Sequence, residues 1–146
     1  MTIYFYKINE TYGCFSNFSK HGFMLDNKYW ATSEHYFQAY KFKGTIHEEL
    51  VRNAKSPMDA ANIGRDRSLP LRSDWDLVKD DVMRKAVHAK FSVHEDIKEI
   101  LISTGDQEIV EKTTKDYYWG CGSDGTGKNM LGKILMEVRD KILTEI

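Results

Sequence analysis

The chain has 146 residues, is 41% hydrophobic and carries 21 basic against 22 acidic side chains, which suits one compact domain and excludes the basic excess of a dedicated nucleic-acid grip. No stretch approaches the ~20 apolar residues of a membrane-spanning helix, and Cys14 and Cys121 stand without the CxxC or histidine spacing of a metal site. Residues 1–7 lack a basic segment leading into an apolar signal core, so a cytoplasmic location with both thiols reduced is expected.

Residues 2–6 read as a short strand, and residues 13–18 as a loop in which aromatic and polar side chains alternate. Residues 23–30 read as a hairpin turning at Asp26 and Asn27, residue types that tolerate positive φ. Thr32 or Ser33 caps a helix running to Phe42, with Glu34 near its positive end. On that helix Glu34, Gln38 and Lys41 fall within roughly 60° of one another at ~100° per residue. Phe37 and Phe42 flank this stripe, and Tyr36, Ala39 and Tyr40 cover the back. An ordinary surface helix has a broad charged face and an apolar stripe; here the pattern is inverted. One reading places the stripe on the wall of a pocket, where an acid and an amine act on a bound molecule. The other makes it the solvated edge of a core helix.

Ser56 with Pro57 at the first helical position opens the next helix, which Gly64 stops. Residues 73–76 form another capping-type start, followed by the helical stripe Val78, Val82, Ala86 and Ala89. Ile97, Ile100 and Leu101 mark a shorter helix closed by Gly105, and residues 109–111 a strand. Asn129 caps a last helix whose apolar face is Leu131, Ile134, Leu135, Val138 and Ile142. The sum is a mostly helical α+β domain of about six helices with a small antiparallel sheet.

Residues 122–129, GSDGTGKN, nearly spell the phosphate-binding pattern GxxxxGK[ST]. Asn129 stands where a magnesium-binding hydroxyl is required, the preceding DYYWG is no buried apolar strand, and only 17 residues follow. A nucleotide triphosphatase is therefore set aside. Two readings remain for the loop: an anion cradle of glycine-rich backbone N–H groups at a helix start, or a flexible turn with a helix cap.

Several blocks together, GCFSNF (residues 13–18), WATSEHYFQAYKF (30–42), SPMDAANIGRDR (56–67), the segment from Trp75 to Met83, DYYWG (116–120) and GKNMLGKILMEVR (127–139), resemble in content and order the YbiA-like proteins, also called the NADAR family. The resemblance spans almost the whole chain. It implies an N-glycosidase that cleaves the bond between a ribose and a nitrogen base. One implied substrate class is the ribosylamino-pyrimidine phosphates of early riboflavin synthesis; another is ADP-ribose attached to guanine in nucleic acid. No cofactor, metal or obligate protein partner is implied.

Cleaving a ribosyl C1–N bond builds positive charge at C1 and negative charge on the base, so a carboxylate and a proton donor are needed. Glu34 is the first choice for the carboxylate. Lys41 either attacks C1 of a ring-opened sugar as a Schiff base, as the resemblance implies, or acts by charge. Asp116 holds a ribose hydroxyl or completes the acid–base pair, or else caps a turn. Phe15, Trp30 and Trp119 are candidates to sandwich a planar base, Asn17, Gln38 and Asn129 to bond ribose or base edges, and Arg65 with the Gly122–Gly127 backbone to hold phosphate; Gly120 is a further candidate for contact with the substrate. A non-catalytic reader of ADP-ribose in the same pocket is the competing function.

Overall fold

Asp26 and Asn27 both adopt left-handed backbone, at φ of 55° and 64°, and that two-residue turn folds β2 (Phe23–Leu25) onto β3 (Lys28–Trp30). The pairing is antiparallel, with Phe23 opposite Trp30 and Leu25 opposite Lys28. Asp26 also accepts hydrogen bonds from Tyr36 and Tyr40, so the turn is pinned to the helix that follows. The computed structural model describes residues 1–146.

That helix, α1 (Ser33–Tyr40), starts at Thr32, whose hydroxyl accepts the His35 N–H at 3.1 Å. It is the centre of the fold and is buried from Ser33 to Ala39. Around it pack α2 (Ile46–Arg52), α3 (Pro57–Gly64) and α4 (Trp75–Val93). Helix α3 begins as the Ser-Pro pattern predicts, with the Ser56 hydroxyl accepting the Asp59 N–H at 3.0 Å. At the start of α4, Asp74 makes no side-chain cap and instead pairs with Arg72 at 2.6 Å. Helix α2 occupies a stretch to which the sequence pattern assigned no element.

The strand β1 (Thr2–Phe5) pairs with β4 (Glu108–Glu111) in parallel. Parallel neighbours need a crossover, and here it comprises residues 6–107, from the first loop through the hairpin to α5 (Glu95–Ser103). The antiparallel hairpin expected from Asp26 and Asn27 is thus joined by a second, parallel ribbon. Helix α6 (Met130–Glu145) lies over β4 and α4, burying Leu131, Ile134, Leu135, Val138 and Ile142 as its periodicity predicts. No helix is long and apolar enough to cross a membrane.

Candidate active site

Two polar residues of α1 and Lys41, which ends it, face inward. Glu34, Gln38 and Lys41 are only 6%, 3% and 8% exposed, which rules out the solvated-edge reading of the stripe. They form one wall of a cavity of about 340 Å³. Opposite walls come from Asn17 and Phe18 of the first loop, Trp75, Lys79 and Met83 of α4, Glu111 at the end of β4, and Asp116, Tyr118 and Trp119 of the loop that follows. Arg65, just past α3, completes the lining.

Each side chain is held by specific contacts. Gln38 Nε2 donates to Glu34 Oε2 at 2.7 Å, and the Glu34 N–H donates to the Asn17 carbonyl at 3.2 Å. Asn17 is fixed in turn, since Ser33 Oγ donates to its Oδ1 at 2.8 Å. Burial raises the Glu34 carboxyl above its ordinary range; the Gln38 hydrogen bond, Arg65 and Lys41 oppose that shift, and Asp116 adds to it. Lys41 Nζ donates to the Gly64 carbonyl at 3.2 Å and lies over the Phe37 and Trp75 rings. Its amine is pulled down to about 8 by burial and then by Arg67, with Arg65 and Lys79 in the same direction and Glu34 against. Asp116 has one oxygen fixed by the N–H groups of Tyr118 and Trp119, at 2.9 and 2.8 Å. Asp116 therefore caps a turn with Oδ1, and it also lines the cavity. Arg65 makes no side-chain hydrogen bond or ion pair, unlike Arg67, which donates to the Gly64 carbonyl.

Phe37 meets both Trp75 and Trp119, with centroids 5.0 and 5.1 Å apart, so the aromatic wall is this trio. Phe15 and Trp30, candidates for that wall, are core residues at 1% and 0% exposure. Trp30 points its indole N–H at the Leu25 carbonyl, 2.9 Å away, closing the hairpin. Phe15 packs edge-on to Phe5 and Phe91.

The glycine loop is also not part of the cavity lining. Its amides are already engaged: Gly127, Lys128 and Asn129 donate to the carbonyls of Cys121, Tyr117 and Gly120, and Met130 and Leu131 to those of Tyr118 and Trp119. A helix start whose N–H groups are consumed in this way offers no anion cradle. Gly120 lies against the Thr113 side chain. Asn129, itself left-handed at φ 54°, does not cap α6 with its side chain; its amide bridges the Glu111 N–H and the Ile109 carbonyl, both at 2.9 Å. Gly132 must lack a side chain for this, because a Cβ there would sit 2.1 Å from the Ile109 carbonyl and 2.4 Å from the Asn129 amide. The loop that imitates a phosphate binder is the brace of β4.

Glu34, Lys41, an aromatic trio and a free guanidinium thus surround one cavity. The NADAR domain model matches residues 4–143. The chain belongs to the NADAR family. It is 52% identical to an N-glycosidase of Nostoc punctiforme, over 97% of this chain and 93% of that one. It is 49% identical to the N-glycosidase YbiA of Escherichia coli, over 98% and 89% respectively. The NMR structure of that Escherichia coli protein superposes with a TM-score of 0.91, covering 99% of this chain and 86% of the other. A maize riboflavin biosynthesis protein, chloroplastic PYRR, is 40% identical over 97% of this chain and 25% of its own length. This NADAR chain is accordingly an enzyme of the glycosyl hydrolase class.

Ser16, Phe18, Phe37, Trp75, Lys79, Met83, Glu111 and Tyr118 line the cavity without having been given a site role from sequence. Glu111 carried the one usable signal, a carboxylate closing an apolar strand.

Proposed function

We propose that this protein hydrolyses the C1–N bond between a phosphorylated ribose and a nitrogen base. The observation that carries the proposal is the burial of Glu34 and Lys41 on the cavity wall that the unpaired Arg65 completes. Keeping an acid and an amine out of water is costly, and a module that merely held a nucleotide would need neither. Glu34 stabilises the positive charge that develops at C1 or takes the proton of the attacking water. Asp116, with one oxygen free, holds a ribose hydroxyl or shares that work. The base lies against Trp119, Phe37 and Trp75, and Arg65 binds the phosphate as a charge-assisted, bidentate donor.

Within this reading, the substrate is a ribosylamino-pyrimidine phosphate of the kind made early in riboflavin synthesis. The cavity volume of about 340 Å³ lies at the low end of small-molecule sites, and a sugar phosphate with one ring fills it. The name of the maize relative supports the same class. ADP-ribosyl-guanine carries the same C1–N bond with a second nucleotide half attached. Incubation with an aminopyrimidine ribosylamine 5-phosphate and, in parallel, with DNA carrying ADP-ribosylated guanine tests the proposal. Release of free aminopyrimidine with little release of guanine is expected. The reverse preference would assign the cavity to the nucleic-acid adduct, and tight binding without cleavage of either would make the protein a reader.

A further inference from the structure

Glu111 is held by its backbone and free at its side chain. Its N–H donates to Asn129 Oδ1 at 2.9 Å, and its carbonyl accepts from Cys121 N–H at 3.0 Å and Thr113 N–H at 3.1 Å. Asn129 is itself tied to Ile109 at 2.9 Å, and the Gly122 N–H bonds the Thr113 hydroxyl at 3.0 Å. The carboxyl at the end of this brace nevertheless makes no hydrogen bond and no ion pair, although it lines the cavity together with Glu34 and Asp116.

The three carboxyls differ in what holds them. Glu34 gives one oxygen to Gln38, and Asp116 gives one to two backbone amides; both partners are donors, which suit a carboxylate. Glu111 alone has no donor. Three carboxyls around one small cavity do not all ionise together; burial raises Glu34 as well, but Gln38 donates to its charged form, whereas Glu111 has no donor to hold a charge. Burial, then Asp116 and Glu34, push its carboxyl up to about 8.

We infer that Glu111 is the general acid of the reaction, the group that protonates the departing base nitrogen. This rests on the N-glycosidase reading above. As the C1–N bond breaks, its electron pair stays on nitrogen and Glu111 delivers its proton there, becoming a carboxylate. The oxygen of water bonds to C1, and the water proton passes to the Glu34 carboxylate and from there back to Glu111. The products are the free amine and a ribose with a hydroxyl at C1. The assignment also explains why the glycine loop is built as it is. A proton donor must be placed within hydrogen-bond reach of one atom, and the loop fixes the peptide from which that donor projects.

The test is Glu111→Gln, assayed on a series of aminopyrimidine ribosylamine 5-phosphates whose leaving amines differ in basicity. Wild-type kcat should fall above about pH 8, as the acid loses its proton. The variant should lose about 100-fold or more on the most basic leaving group and distinctly less on the most activated one, and any alkaline fall left in it belongs to Lys41, whose amine is likewise brought to about 8. An even loss across the series would overturn the assignment while leaving the glycosidase intact. A wild-type enzyme inactive on the whole series and on ADP-ribosylated guanine would overturn both. If the variant fails to fold, the wild-type profile decides: kcat that stays level through pH 9 on the most basic substrate overturns it.

Discussion

Gln38 binds Glu34 with one end of its amide, at 2.7 Å, and buries the other end, Oε1, against Gly64 without a hydrogen-bond partner. The glycine is what makes room, since a Cβ at position 64 would lie 1.9 Å from that oxygen and 2.6 Å from the amide carbon. Gly64→Ala should therefore push Gln38 off Glu34. Overpacking of this kind costs about 1–3 kcal/mol, and turnover should fall with it, because Glu34 loses the donor that favours its charged form. Thermal melting and kinetics on the same sample check this; an alanine variant with native melting and native turnover would mean that Gln38 has somewhere else to go.

Glu34→Gln probes the carboxylate directly. The substitution keeps shape and removes a buried ionisable group, so the fold and the binding of ribose 5-phosphate should survive. Loss of charge stabilisation at C1 should cost on the order of 2–4 kcal/mol in the transition state. Turnover within a few-fold of wild type would remove Glu34 from the chemistry.

Arg65 and the glycine loop make opposite claims on the phosphate. Ribose 5-phosphate should raise the melting temperature without added magnesium, through preferential binding to the native state. Arg65→Ala should weaken that binding by about 1.5–3 kcal/mol, the range for a hydrogen bond to a charged group, whereas Lys128→Ala should leave it unchanged. A larger loss in the Lys128 variant, or a strict need for magnesium, would return the phosphate to the loop.

What could be read from sequence was whatever is local. Caps, turns and periodicity placed the hairpin, α1, α3 and α6, and the inverted stripe on α1 named Glu34, Gln38 and Lys41 before any fold was known. Helix α2 escaped because Ile46 and Leu50 are exposed while Glu48 is buried, so its pattern runs against the usual amphipathic one. The parallel pairing of β1 with β4 joins Thr2 to Glu108, a distance in sequence that no local signal spans. The misplaced candidates have one cause. An aromatic residue beside a motif says nothing about which way its side chain turns, and Phe15 and Trp30 turn into the core while Trp75 and Trp119 reach the cavity. Likewise, glycines allow close backbone approach whether the partner is a phosphate or, as at Gly132, another strand.

Lys90 provides a test of stability against pH. It is almost fully buried, donates to the Ser16 carbonyl at 2.9 Å, and burial pulls its amine down to about 7. An unfolded lysine holds its proton to about 10.4, so between these values the unfolded chain binds a proton that the folded one does not. Stability from this group therefore rises with pH across that window and is level below it. Lys90→Met removes the slope: relative to wild type, the variant should be at its best near pH 7 and lose ground steadily towards pH 10, where the lost bond to Ser16 alone remains. Urea unfolding at several pH values measures this. Parallel curves for the two proteins would show that the amine keeps its proton when folded.

Lys41 carries the sharpest remaining choice, between covalent and electrostatic action. With its amine brought down to about 8, about a tenth is neutral at pH 7, enough to attack C1 of a ring-opened sugar. Burial first, then Arg67 and Arg65, keep it so, as desolvation and neighbouring cations do for other nucleophilic lysines. If an imine forms, borohydride added during turnover should reduce it and leave a ribosyl adduct on the peptide around Lys41, which mass spectrometry would locate. Lys41→Arg is the control, because it retains the charge over Phe37 and Trp75 but, with a pKa above ~12, offers no usable nucleophile. Covalent action predicts near-complete loss in both the arginine and the alanine variants. Electrostatic action predicts substantial activity in the arginine variant and no trapped adduct in wild type. An adduct on Lys79, which lines the same cavity, would place the covalent chemistry on α4 and leave Lys41 as the cation that orients the substrate.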